Sequence, residues 1–262
     1  MNKKWHHLFG LFLLDYFTDS PYTVELEKDL SLKQQFLDVV ILRKEEAGDF
    51  GGVPDGLENL GEHNLITHKS LRESLNGWAL QELIGHYVNY RKQVSSTSGR
   101  RLAAKRFRLY GVSTRYPRAL SHRVILQALT PGVYEVVWGV DTIRIIVLSE
   151  IPEGPHNAIW RLFSAKPEVV LEARKQYQVH QRDISTIVQQ LFENYRMENI
   201  NMPYTVQDFQ KEYVLDHLNL LSPEQRLKDL SPEQRLKNLS LEDIVNHLSP
   251  EQVRQLLERF RK

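Results

Sequence analysis

The segment Phe36–Leu42 (FLDVVIL) constrains this chain more than any other. It is almost unbroken in its apolarity and rich in β-branched residues. A run of that kind and length reads as a strand buried on both faces, the middle of a sheet covered on each side by helices. The exception inside it is Asp38. A carboxylate in an apolar strand is costly unless a cation, a metal ion or hydrogen-bond donors meet it. The strand that defines the core therefore also nominates a site.

The flanking sequence supplies the layers. Residues 2–18 read as a helix. The apolar run Leu8–Leu14 follows Lys3 and Lys4, but Asp15 closes it after seven residues and no small-residue cleavage site follows, so a buried first helix is expected rather than a signal peptide. No run approaches the ~18 residues that span a bilayer. Tyr22–Leu26 reads as a strand, Gly48–Gly61 as a loop, and His63–Lys69 as a second core strand. Ser74–Val94 reads as a helix that places Leu75, Ala79, Leu83, His86, Tyr90 and Val94 on one face. Arg108–Ser113 is a further strand, and Val133–Trp138 with Thr142–Leu148 form a hairpin about Gly139–Asp141. Helices are expected over Asn157–Ser164, Pro167–Tyr177, Ile184–Met197 and Val206–Leu218. Trp78 and Trp160 read as core. The expected fold is α/β, a mixed sheet of about five strands flanked by helices. The domains are residues 1–150 as the core, 151–220 as a helical extension and 221–262 as a tail.

The tail is a nine-residue repeat: LSPEQRLKD from Leu221, LSPEQRLKN from Leu230, LSLEDIVNH from Leu239, and LSPEQVRQL from Leu248. Serine at the cap, proline at the first helical position and glutamine three residues after the serine form a capping box at the start of each PEQ unit. The units suit a solvated helical tail or an arm that recruits a protein partner or a second copy through Leu227, Leu236 and Leu256.

A hydrophobic content of 41% is enough for a sizeable core, and the absence of cysteine excludes disulfides, thiolate metal sites and a cysteine nucleophile. The cysteine-free composition fits a reducing cytoplasm. The net charge of +1 conceals a block between Arg91 and Arg123 with ten basic residues and no Asp or Glu. Within it Arg91, Lys92, Arg100, Arg101, Lys105, Arg106 and Arg108 interleave with aromatic residues, a pattern suited to DNA phosphates. A solvated basic face is the alternative.

Asp38 has two natural companions. Lys69 ends the next strand, with Thr67 on the same face, and Glu82 lies at the edge of the apolar face of the following helix. Carboxylates at Asp38 and Glu82 could share Mg²⁺, with Lys69 stabilising charge on a phosphate. Otherwise Asp38 and Lys69 form an internal ion pair. His6 and His7 read as solvated, and His63 and His68 point to opposite faces of their strand, too far apart to chelate together.

The order of an aspartate strand (LDVVIL), a strand ending in lysine (NLITHKS) and a helix (ALQELIGHYVNYRK) resembles the PD-(D/E)xK restriction-endonuclease-like core. With the late helix NAIWRLFSA and the LSPEQRL tail, it is similar to the recombination-promoting nuclease / putative transposase family. That resemblance implies a bacterial, Mg²⁺-dependent DNA endonuclease linked to recombination or transposition. Asp38, Lys69 and Glu82 would then be catalytic, and Asp38 and Glu82 the metal ligands. The family places Glu two residues before the lysine. Thr67 stands there, so Glu82, or Glu25 or Glu27, would have to supply the second acid. A catalytically degenerate nuclease fold that binds DNA or protein stays open.

Overall fold

The computed structural model describes residues 3–29, 36–44, 52–96, 100–177 and 184–200, together with much of 208–259. It divides into two units, Met1–Phe209 and Gln210–Lys262.

The first unit begins with α1 (Lys3–Tyr16), then β1 (Tyr22–Asp29), β2 (Phe36–Arg43) and β3 (His63–Lys69). After α2 (Gly77–Ser96) come β4 (Phe107–Ser113), the short α3 (Arg118–Ser121), β5 (Gln127–Thr130), β6 (Val133–Trp138) and β7 (Asp141–Val147). The chain closes the unit with α4 (Ala158–Arg161), α5 (Pro167–Gln176) and α6 (Ile184–Met197). The strands form one mixed sheet in the order β1-β2-β3-β4-β7-β6-β5. β1, β2 and β3 pair antiparallel, whereas β4 runs parallel to β3 and β7 parallel to β4. The parallel step from β3 to β4 requires a crossover, and α2 provides it.

β2 behaves as its composition demands. Val39, Val40 and Ile41 are all fully buried, and they alternate between two cores. Val39 and Ile41 join α1 and α4–α6 on one face of the sheet, while Val40 joins α2 on the other. The helices after residue 155 are continuous with the first of these cores: Trp160, Val170, Leu191 and Phe192 pack with Phe9 and Phe12 of α1. The expected division at residue 150 therefore cuts through one apolar cluster. The expected helix over Asn157–Ser164 is shorter, a 3₁₀ turn (Pro155–Asn157) leading into α4. Buried Asn157 pins it to the loop before β3, accepting from the Asp55 amide (2.9 Å) and donating to the Asp55 carboxylate (2.8 Å).

Two differences from expectation have simple causes. The sheet has seven strands: β1 runs on to Asp29, and the strand not read from the sequence is β5, an edge whose four residues are all exposed and carry no buried pattern. Trp78, expected in the core, is 68% exposed at the start of α2, whereas Trp160 is fully buried.

In the second unit, α7 (Pro223–Leu227), α8 (Pro232–Leu236) and α9 (Pro250–Arg259) are described. The capping boxes form as the repeat dictates. Ser222 accepts from the Gln225 amide while the Gln225 side chain accepts from the Ser222 amide, and Ser231 with Gln234 repeats the arrangement. Ser249 and Gln252 exchange the same pair of bonds. No residue of α7 or α8 is buried, and Leu227 and Leu236 are exposed. Most of Val206–Leu218 and of the third repeat, and the side chain of Leu256, lie outside the described residues.

Candidate functional site

Asp38 sits near the start of β2, at the sheet end where the antiparallel β3 finishes in Lys69. Its carboxylate is met from three directions. Oδ1 lies 2.7 Å from His6 Nδ1, brought in by the first turns of α1. Oδ2 accepts from the Thr67 hydroxyl at 3.0 Å and from the His68 amide at 2.7 Å. These donors answer the question that the partly buried aspartate poses. Burial alone would raise its pKa, but the His6 hydrogen bond and charge, with the His68 amide, hold the carboxyl below its ordinary value.

His6 is shared. Its other ring nitrogen, Nε2, lies 3.1 Å from the Glu73 carboxylate in the loop after β3. Burial opposes a charged imidazole, yet hydrogen bonds and charge from Asp38 and Glu73 outweigh it and push the His6 pKa up to about 9. Burial also works against the Glu73 charge, but His6 and the Ser70 amide overcome it and bring Glu73 down to about 2. At neutral pH the site is thus an imidazolium clamped between two carboxylates. Next to it, fully buried His68 stacks on Phe9 at 4.2 Å and lies 5.9 Å from the His6 ring. Burial and the neighbouring imidazolium depress its pKa to about 3, so it is a neutral aromatic filler. His63 stacks on Phe107 on the opposite sheet face, as the strand alternation requires.

Neither His6 nor Glu73 was legible as a partner of Asp38. His6 looks like a solvated residue of an N-terminal pair, and Glu73 lies in a polar turn, 35 positions away in sequence. An apolar helix carrying one inward imidazole opposite a buried aspartate was the available signal.

Asp38, Lys69 and Glu82 do line one pocket, of about 430 Å³, between α2 and the ends of β2 and β3. Thr67, Trp78, Gln81 and His86 complete its wall. Glu82 is exposed and accepts from the Trp78 indole at 2.9 Å. Glu25 and Glu27 belong to β1, the edge strand beside β2, and not to a helix.

These donors do not fit a divalent cation. Mg²⁺ needs several anionic or neutral oxygens around one point. Asp38 is already neutralised by His6 and hydrogen-bonded through both oxygens, Thr67 offers a hydroxyl where a carboxylate is wanted, and Lys69 adds positive charge. Among the described residues no group of three or more His, Asp or Glu side chains is placed to hold a metal ion.

The basic block separates into two sets. Arg91 lies 5.9 Å from the centres of the Tyr87 and Phe107 rings and donates to the Leu102 carbonyl and the Tyr87 hydroxyl. Arg106 pairs with Glu62, and Arg108 donates to the carbonyls of Lys105 and Phe107. These three guanidinium groups hold the α2–β4 connection together. Lys92, Arg100, Arg101 and Lys105 are exposed.

No family model, curated protein or solved structure matches this chain. Among the described residues no helix is long and apolar enough to cross a membrane.

Proposed function

We propose that this chain is a nuclease-like α/β protein that binds nucleic acid without hydrolysing it. The observation that carries the reading is the closure of Asp38: the carboxylate on the core strand is occupied by an imidazolium, a hydroxyl and an amide. The nuclease-like part of the reading is supported by the element order. A helix precedes three antiparallel strands, then α2 crosses to a strand parallel to the third, with Asp38 on the second strand and Lys69 at the end of the third. The PD-(D/E)xK resemblance implies the part of that order that runs from the aspartate strand through the lysine strand to the helix, and the similarity to the recombination-promoting nuclease / putative transposase family implies an association with recombination or transposition.

Binding is supported by what remains accessible. The pocket beside Asp38 keeps Lys69 for a phosphate and an exposed Trp78 indole on which a base can stack. Lys92, Arg101 and Lys105 add exposed positive charge.

Two measurements test the proposal. Purified protein should leave supercoiled plasmid intact with and without Mg²⁺. It should bind a labelled single-stranded oligonucleotide, and Trp78→Ala should weaken that binding by roughly 5- to 100-fold, the range for loss of one base–aromatic stack. Mg²⁺-dependent nicking that disappears in Asp38→Asn would overturn the non-hydrolytic reading. Absence of oligonucleotide binding would overturn the binding role.

A further inference from the structure

A second pocket, of about 580 Å³, opens outside the carboxyl ends of β3, β4 and β7. That volume is in the range of small-molecule sites. The ends of neighbouring parallel strands are where open α/β sheets commonly take ligands. Its wall is assembled from the loops that follow these three strands, and it carries Arg115, Tyr116 and Arg118 on one side.

The charges within it are unequal in their commitments. Glu73 is held by His6 and by the Ser70 amide and hydroxyl, so its charge is met from within the fold. Glu150 accepts from the Tyr134 hydroxyl at 2.6 Å. Arg115 and Arg118 are exposed and form no ion pair among the described residues. Lys166 reaches the same rim, where its ammonium donates to the Ser149 carbonyl at 2.8 Å. Two guanidinium groups therefore line a concavity in which a single exposed carboxylate, Glu150, opposes them, and the Lys166 ammonium lies against its Ser149 wall.

The backbone that presents the arginines is fixed. The Thr114 amide donates to the Lys69 carbonyl (3.1 Å), and the Ser149 amide donates to the Thr114 carbonyl (3.2 Å). The Thr114 hydroxyl bonds the Phe163 carbonyl, and the Ser113 hydroxyl bonds the Arg115 carbonyl at 2.8 Å. The loop after β4 is thus tied to β3, to the β7 loop and to the helical layer. A ligand would not have to order it on binding. Tyr116, held edge-to-face against Tyr134 at 5.5 Å, offers an aromatic wall beside the guanidinium groups.

We infer that this pocket binds a phosphomonoester carried on a nucleoside, with Arg115 and Arg118 on the phosphate and Tyr116 against the base or sugar. Paired guanidinium groups suit the dianion because each can make two parallel charge-assisted hydrogen bonds to phosphate oxygens. The same chemistry is offered by a free nucleotide and by the terminal phosphate of a nucleic-acid strand.

Calorimetric titration of the full chain distinguishes the sources and tests the site. AMP should bind where adenosine does not, and Arg115→Gln and Arg118→Gln should each weaken AMP by about tenfold or more, as expected for loss of a charge-assisted contact. Both arginines are exposed, and unchanged circular dichroism of the variants would confirm their fold. Trp78→Ala should leave AMP binding unchanged, so failure of the oligonucleotide pocket and failure of this one are separable. If a 5′-phosphorylated oligonucleotide displaces AMP and its 5′-hydroxyl counterpart does not, the ligand is a strand end. If neither displaces it, the ligand is the free nucleotide. Binding of neither AMP nor the 5′-phosphorylated strand, or arginine variants that bind like the parent, overturns the inference.

Discussion

Replacing His6 with glutamine removes the imidazolium that bridges Asp38 and Glu73, and the structure sets the size of the effect. Raising an imidazole from its ordinary 6.5 to about 9 corresponds to about 3 kcal/mol in favour of the folded imidazolium. Removing one partner from a buried charge network costs about 3–5 kcal/mol, an upper bound for these three partly buried groups, because the remaining charges stay partly desolvated. Both routes give a fall in Tm of roughly 5–20 °C for a unit of this size. The pH dependence follows from the direction of the shift. Because the folded pKa lies above the unfolded one, the contribution of His6 is complete below about pH 6.5 and is lost as pH rises through about 9. Glu73 is shifted the other way: its contribution is complete above about pH 4.5 and is lost as pH falls towards about 2. Thermal unfolding between pH 6 and pH 10 should therefore show the parent declining relative to His6→Gln. Adding Asp38→Asn and Glu73→Gln to that variant should restore part of the lost stability by removing the unpaired carboxylates. A difference in Tm between parent and His6→Gln that stays constant from pH 6 to pH 10 would refute the clamped imidazolium.

The fold makes further demands that are simple to check. Gly132→Ala should destabilise by about 1–3 kcal/mol, since φ is +76° and a Cβ would come within 2.9 Å of the Glu150 and Ile151 backbone, and chemical denaturation reads this directly. Asn157→Ala should cost about 1–3 kcal/mol in the same assay, because the partly buried Asp55 amide loses its acceptor and the Asp55 carboxylate keeps only His156 as a partner from the 155–158 turn. Reversing Lys92, Arg101 and Lys105 to Glu should weaken oligonucleotide binding equally for all sequences and flatten its salt dependence, visible in anisotropy titrations at several salt concentrations. Deleting residues 221–262 should leave the Tm of the remainder unchanged, because no side chain of α7 or α8 is buried. Light scattering should then show whether the exposed Leu227 and Leu236 mediate association.

Much of the scaffold was legible because its signals are local. A short, nearly unbroken β-branched run favours a doubly covered strand, and it became the second of seven strands with all of Val39–Ile41 buried. The Ser-Pro-Glu-Gln units specify their own capping boxes through residues three positions apart, so no tertiary contact was needed to read them. Ile184–Met197 carries a complete helical periodicity and occupies that span, and His63–Lys69, a short segment bounded by turn residues, occupies its expected strand. The sequence also nominated Asp38, since a lone carboxylate in such a strand demands a partner.

The identity of that partner was a tertiary matter. The expected companions Lys69 and Glu82 share its pocket, but the groups that touch the carboxylate are His6 from α1, the Thr67 hydroxyl and the His68 amide. A histidine six residues from the start and a glutamate in a polar turn carry no periodic signature. Only the packing of α1 across the sheet end brings them to one point. The same holds for the arginines. Ten basic residues in a row of segments look alike in sequence, yet folding commits Arg91, Arg106 and Arg108 to carbonyls, rings and Glu62, and leaves Arg115 and Arg118 facing a pocket. Which charges are spent on the fold and which remain for a ligand depends on distances between elements far apart in the chain, and the tertiary structure alone sets those.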